Sequence, residues 1–224
     1  MDFKEARLNM VECQLRPNDV CNEELLEVMG CLRKERFLPD HLKPQAYLDC
    51  DLEFKKHRYL PSSEIIGKML QIGLLDRCEQ VLVIGDPSGY VAAILSKLVD
   101  MVFVVEEDEE LLGQMKIRLS KADGFDNVRF THGPLHEGYK EESGYDTIFI
   151  MVGIDYLPES ISSQISDGGK AVFLKSQSCE LPQLRSLAHL SVCYKHNNHL
   201  SEESLGDFYT QRYQNFCYEQ TFHL

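Results

Sequence analysis

The stretch Gln80-Val81-Leu82-Val83-Ile84-Gly85-Asp86-Pro87-Ser88-Gly89-Tyr90 decides how the rest of the chain is read. Residues 80–84 form a short, β-branched apolar run of the length a buried strand favours. Gly85 ends it. Gly89 then opens a segment, 89–98, in which Val91, Ile94, Leu95 and Leu98 share one side of a helix. A strand that passes through a glycine turn into a helix has a use. The turn lets backbone approach a ligand, and the helix start offers free N–H groups to negative charge.

Downstream of this unit the same alternation repeats. Met101–Val105 is a second buried-strand run, closed by Glu106, and 111–119 is helical. Residues 128–130 and 146–151 make a third and fourth strand, with 161–165 in a helix after them. Gly168-Gly169 then turns into a fifth strand at 170–174. Strands alternating with helices imply crossover connections and a mostly parallel sheet covered on both faces, a doubly wound α/β fold. Residues 190–194 and 216–222 alternate apolar and polar without an intervening helix, which predicts antiparallel strands at one edge. His196 and His199 flank Asn197-Asn198, a hairpin turn.

Upstream, residues 3–35 show two apolar stripes: Ala6, Met10, Val11 and Leu15, then Leu25, Leu26, Met29 and Leu32. Arg16-Pro17-Asn18-Asp19 separates them, with Asn18 or Asp19 available to cap the second helix. Pro39 to Pro61 reads as irregular. A helix follows over 63–74, with Ser62 or Ser63 as its N-cap. The expected organisation is one structural domain, in which a helical extension, 1–62, packs on a core, 63–224.

The 224 residues carry a formal charge of −13. Lys and Arg number 10 against 12 Asp and Glu over residues 1–60, but 13 against 24 over 61–224. Such a surface repels a phosphate backbone, so nucleic acid is not expected as a partner. The eight cysteines include no Cys-x-x-Cys pair, and the charged N-terminus does not read as a signal peptide. No apolar stretch approaches the ~18 residues of a membrane span. A reduced, cytoplasmic protein with no membrane contact is expected. His132 and His136 stand four apart, but Gly133-Pro134 between them argues against one helical face, and no metal is expected.

Glu106 follows Gly85 by 21 residues, about the ~20-residue offset at which an acid reaches ribose hydroxyls. That arrangement suits a nicotinamide dinucleotide and S-adenosylmethionine alike. The nicotinamide reading is weaker, because the turn lacks Gly-x-Gly-x-x-Gly spacing. Glu107 joins Glu106 as a candidate contact, although residues 107–110 read more simply as the acidic start of a helix.

Several stretches together resemble the protein-L-isoaspartate O-methyltransferase family. They are Arg7-Leu8-Asn9-Met10-Val11-Glu12-Cys13-Gln14-Leu15-Arg16, Arg36-Phe37-Leu38-Pro39 with Ala46-Tyr47-Leu48-Asp49, the Pro61 segment and the Gly85–Tyr90 turn. Asn127-Val128, Tyr145-Asp146 and Gln164-Ile165-Ser166-Asp167-Gly168-Gly169 complete the series. The resemblance implies a Rossmann-like S-adenosylmethionine methyltransferase fold and methyl transfer to L-isoaspartyl carboxylates of damaged proteins.

Carried over residue by residue, the resemblance sets Gly85, Ser88 and Gly89 at the methionine end of the cofactor and Glu106 at its ribose. Asp86 stands near the cofactor's carboxylate, amino group or sulfonium. Gly133, Pro134 and Leu135 stand at the base, where Pro134 replaces an acidic residue and leaves backbone contacts. Tyr59 occupies the position of a family Ser or Thr that helps hold the substrate carboxylate, with Ser62 and Ser63 as stand-ins that also suit helix capping. Pro87 replaces a family glycine, and Met151–Ile154 replaces a loop of small residues near the substrate. Arg58 is the one cation beside the acceptor site, able to bind a carboxylate bidentately or to pair with a surface acid. These departures leave two further readings: a methyltransferase with another acceptor, and a non-catalytic family member acting as a binding protein.

Overall fold

The structure, a computed structural model, describes residues 2–74, 79–121, 124–176, 186–210, 213 and 216. Helix α1 spans Phe3–Met10, capped by Asp2, and runs on through a π turn, Val11–Leu15, and a 3-10 turn, Arg16–Asn18. Pro17 cannot donate to the turn before it, and the chain leaves at Asp19 in left-handed conformation (φ 61°). Helix α2, Glu23–Cys31, is capped by Asn22, whose side chain accepts from the Leu25 amide at 3.0 Å. This corrects the expected cap at Asn18 or Asp19. Asn18 instead donates back to the Gln14 carbonyl, and Asp19 ends the preceding turn.

The stretch read as irregular holds a hairpin, β1 (Leu52–Lys55) and β2 (Arg58–Leu60), turned at His57 (φ 65°). Helix α3, Ser63–Gly73, starts at Ser62, whose hydroxyl accepts from Ile65 N. Then come β3 (Gln80–Ile84), α4 (Tyr90–Leu95), β4 (Met101–Glu106), α5 (Glu109–Ser120) and β5 (Val128–His132). The chain continues with β6 (Tyr145–Ile154), α6 (Glu159–Ser162), β7 (Ile165–Ser176), β8 (Ser186–His196) and β9 (His199–Thr210).

Seven strands form one sheet in the order β5-β4-β3-β6-β7-β8-β9. Pairing is parallel from β5 through β7 and antiparallel from β7 to β9. Successive crossovers run from β3 outward to β4 and β5, then return to β6 on the other side of β3. The carboxyl end of β3 therefore lies at the point where strand order reverses, the position where open α/β sheets bind ligands.

Alternate residues of β3 feed two cores. Val81 and Val83 join a cluster that includes Val104 and Phe149 together with Met10, Leu15, Leu25 and Met29 of the N-terminal helices. Leu82 and Ile84 join Val105, Ile150, Val152 and Leu135 on the opposite face. One continuous apolar cluster thus unites the N-terminal extension with the sheet.

Several element boundaries differ from expectation: Ile165 opens β7 instead of lying in the preceding helix, and Gly168-Gly169 lie within that strand. Residues Met151–Ile154, read as a loop, continue β6, because they are buried and a register irregularity between Ile150 and Gly153 bends the strand without ending it. Helix α4 is shorter than 89–98. The second edge strand is β9 at 199–210, whereas 216–222 lies, except for Phe216, outside the described residues. Asn197 and Asn198 both take positive φ (50° and 62°), so the hairpin turns immediately into its partner. β9 is exposed along most of its length, and a strand wet on both faces carries no apolar alternation to detect.

Candidate active site

The turn after β3 is built by its own side chains. Gly85 and Gly89 both occupy left-handed backbone, with φ 78° and 81°. Between them, Asp86 is fully buried and folds back on the turn. Its Oδ1 accepts from the Ser88 amide (2.9 Å) and hydroxyl (2.6 Å), and its Oδ2 accepts from the Val91 amide (3.0 Å). Ser88 Oγ in turn accepts from Tyr90 N at 2.9 Å. Three amides at the start of α4 are therefore taken, which corrects the reading of free N–H groups there. Arg118 of α5 lies near this turn. Burial, with the Asp86 charge opposing it, holds Arg118 below the ordinary arginine value. Pro87 is buried within the turn.

Glu106, the last residue of β4, is fully buried, and its strand pairs in parallel with β3. The sequence separation thus becomes adjacency at the carboxyl end of the sheet. Arg58 of β2 holds the Glu106 carboxylate with both terminal nitrogens, Nη1 to Oε1 and Nη2 to Oε2, each at 2.5 Å. Nη2 also lies 3.4 Å from the Gly85 carbonyl, and the Asp108 amide donates to Oε1 at 2.9 Å. Burial lowers the Arg58 pKa, but the hydrogen bond and charge of Glu106 outweigh it, and the balance is upward. The partner of Arg58 is a buried acid of the sheet and not a surface one.

The neighbouring Glu107 is committed differently. Its carboxylate accepts from the Tyr213 hydroxyl and, at 3.4 Å, from the Leu135 amide. Tyr213 also donates its amide to the Gly153 carbonyl, and its ring lies 5.5 Å from the Arg58 guanidinium carbon. Leu135 is buried beside Val152, and both approach Gly85 closely. Pro134 is exposed, and Gly133 N donates to the Glu106 carbonyl, tying the end of β5 to the end of β4.

On the acceptor side the residues separate. Side chains alternate along a strand, so Arg58 and Leu60 turn inward while Tyr59, half-buried, lies on the other face of β2. Ser62 serves as the cap of α3, and Ser63 accepts from the buried Lys34 ammonium at 2.8 Å. Arg58, Glu106 and Gly85 meet. Tyr59 does not join them. The roles of Arg58 toward Glu106, and of Tyr213 toward Glu107 and Arg58, were missed by sequence reasoning. The inward phase of Leu60 in a short strand is the signal that could have placed Arg58 inside.

A parallel sheet of this order, with a glycine turn at the switch strand and a buried acid on its neighbour, is the frame of a Rossmann-like methyltransferase. A solved protein-L-isoaspartate O-methyltransferase superposes on it with a TM-score of 0.77 at 23% identity, covering 94% of this chain and 67% of that one. A Plasmodium falciparum structure assigned to the same activity, in complex with S-adenosyl-L-homocysteine, gives 0.75 at 14% identity over 95% and 98%.

The family described as protein-L-isoaspartate(D-aspartate) O-methyltransferase matches residues 6–193, and this chain belongs to it. Relatives include protein-L-isoaspartate O-methyltransferase 2 of Marinobacter nauticus, 30% identical over 92% of this chain and 91% of its own. The protein-L-isoaspartate O-methyltransferase of Protochlamydia amoebophila is 32% identical over 88% and 91%, and that of Syntrophus aciditrophicus 32% over 91% and 91%. The family is S-adenosylmethionine-dependent. The residues present fit that cofactor in two respects. Gly85 and Gly89 give a left-handed turn with no side chain of its own at either position, and Glu106 supplies a buried carboxylate one strand away.

Proposed function

We propose that this protein transfers a methyl group from S-adenosylmethionine to the side-chain carboxylate of L-isoaspartyl residues in damaged proteins, the first step of their repair. The supporting observation is the buried Glu106 carboxylate beside the Gly85 turn, at the strand-order reversal of a family-matched sheet. The cofactor, when bound, supplies an already activated methyl group as a sulfonium. The acceptor carboxylate, with an ordinary pKa near ~4, is ionised at neutral pH and needs no general base. The protein's own task is therefore placement and exclusion of water.

In this reading the backbone of Gly85 to Gly89 flanks the methionine portion, Glu106 accepts from the ribose, and Gly133, Pro134 and Leu135 border the base through backbone and apolar contacts. Asp86 and Ser88 act by holding the turn, and Glu107 by fixing the Leu135 amide. Tyr59, Ser62 and Ser63 border the acceptor side, where Ser62 and Ser63 hold the start of α3. Residues 1–62 act as an extension of the 63–224 core within one structural domain.

The cytoplasm is the proposed compartment. No helix among the described residues is long and apolar enough to cross a membrane, and Cys13, Cys21, Cys31, Cys50 and Cys193 are free. The test is transfer of a labelled methyl from S-adenosylmethionine to an L-isoaspartyl peptide, with the aspartyl peptide of the same sequence as control. Base-labile label on the isoaspartyl peptide alone is expected. No label on either peptide overturns the reading, and label on another acceptor class only redirects it.

A further inference from the structure

Glu106 is the carboxylate a bound ribose needs, and the protein's own Arg58 already holds it. An ionised carboxylate offers about four acceptor positions. Arg58 fills two of them from Nη1 and Nη2, and the Asp108 amide fills a third. One position on Oε2 is left among the described partners, whereas a ribose diol presents two hydroxyls. Arg58 also reaches the Gly85 carbonyl, so its side chain bridges the two elements between which the cofactor would lie.

Two details distinguish this from a settled structural ion pair. Among the described residues Arg58 Nε is buried with no hydrogen-bond partner, so the guanidinium is gripped on one edge and not on the other. Its carrier is a small hairpin, β1–β2, forming a two-stranded sheet of its own. The hairpin is pinned to the same corner from outside by Lys55, 2.7 Å from Asp108 and 3.2 Å from Glu110.

We propose that Arg58 is an internal competitor for the cofactor at Glu106: guanidinium and ribose diol exclude one another, and Arg58 thereby sets cofactor affinity. The inference rests on the methyltransferase reading above. Where the competent form is only a fraction of the population, apparent affinity falls by that fraction. An arginine engaged in nine molecules of ten weakens binding about tenfold.

The experiment is calorimetric titration of S-adenosyl-L-homocysteine into the wild type, Arg58→Met and Arg58→Lys, with hydrogen exchange of the wild type alongside. Arg58→Met is expected to bind about tenfold more tightly or better, with Arg58→Lys, which keeps charge without the two-point grip, in between. Equal or weaker binding by Arg58→Met than by a binding wild type overturns the competition and leaves the methyltransferase reading intact. Absence of binding by folded wild type and both variants at millimolar ligand overturns both. Should Arg58→Met not fold, wild-type exchange decides. Faster exchange of the residue 52–60 amides on saturation with S-adenosyl-L-homocysteine supports displacement of Arg58, and slower or unchanged exchange refutes it.

Discussion

Asp86 Oδ2 accepts the Val91 amide at 3.0 Å, so the carboxylate of the glycine turn serves the helix that leaves it. A charge at this position looks, from sequence, like something aimed at a ligand. In the fold it is turned inward and satisfied three times over. Glu106, at the end of the neighbouring strand, is held instead by a distant residue, Arg58.

Replacing Asp86 by alanine is expected to lower stability by about 2–4 kcal/mol, since a buried charged acceptor and a helix cap are lost together. Asp86→Asn, which offers an N–H where the Val91 amide needs an acceptor, recovers only part of this. Urea unfolding followed by circular dichroism checks it. A loss below about 0.5 kcal/mol for the alanine variant, the range of neutral surface changes, refutes this account of the turn.

Gly85→Ala tests the turn in another way. The new methyl would stand 3.0 Å from Val152 Cγ1 and 3.2 Å from Leu135 Cδ1, on backbone at φ 78°. Left-handed backbone alone costs a non-glycine residue about 1–2 kcal/mol. A comparable drop in unfolding free energy is expected, with weaker binding of S-adenosyl-L-homocysteine. Unchanged affinity in a folded variant would mean that the cofactor does not approach this glycine.

Lys34 gives a pH signature. It is fully buried, bonded to Ser63 Oγ, and lies 5.7 Å from the centre of the Tyr90 ring. Burial pushes its ammonium down from 10.5 to about 8, against the opposing charges of Cys50, Asp51 and Asp49. Between about pH 8 and 10.5 the unfolded chain therefore holds a proton here that the folded chain has released, and stability gains from rising pH. The gain is at most about 3 kcal/mol, complete near the unfolded value. Urea midpoints of the wild type and Lys34→Met, measured from pH 7 to 10, isolate this contribution from other titrating groups. The difference should move in favour of the wild type as pH rises, and a flat difference counts against it.

Arg7 anchors the N-terminal extension. Its Nε donates to the Gly30 carbonyl at 2.8 Å, and Nη1 meets the Tyr47 hydroxyl at 3.3 Å. Tyr47 in turn donates to Glu35 at 2.5 Å. Removing one partner from a buried ionic network leaves the others desolvated, so Arg7→Met is expected to cost about 3 kcal/mol. Tyr47→Phe, which removes one hydroxyl, should cost about 1–2 kcal/mol. Thermal unfolding of both variants checks the order, and a larger loss for Tyr47→Phe would contradict it.

Much of this architecture can be read along the chain. The apolar runs at 80–84 and 101–105 are strands because β-branched residues buried on both faces leave a continuous signature. The break at Arg16–Asp19 is legible because proline removes a donor and Asp19 tolerates left-handed backbone. Less visible was the β1–β2 hairpin, whose strands have only four and three residues and whose span, 52–60, carries Glu53 against Lys55, Lys56 and Arg58, and β9, whose exposure erases periodicity.

The sequence by itself determined the doubly wound sheet, the glycine turn at its switch strand and the placement of Glu106 about one crossover further on, since periodicity, glycine conformation and crossover length are local properties. Only the tertiary structure decided which distant groups meet there: Arg58 closing on Glu106, and Tyr213 reaching Glu107. Those partners lie 48 and 106 residues apart in the chain, and a contact at such separation depends on which side chains the packed elements bring to one place.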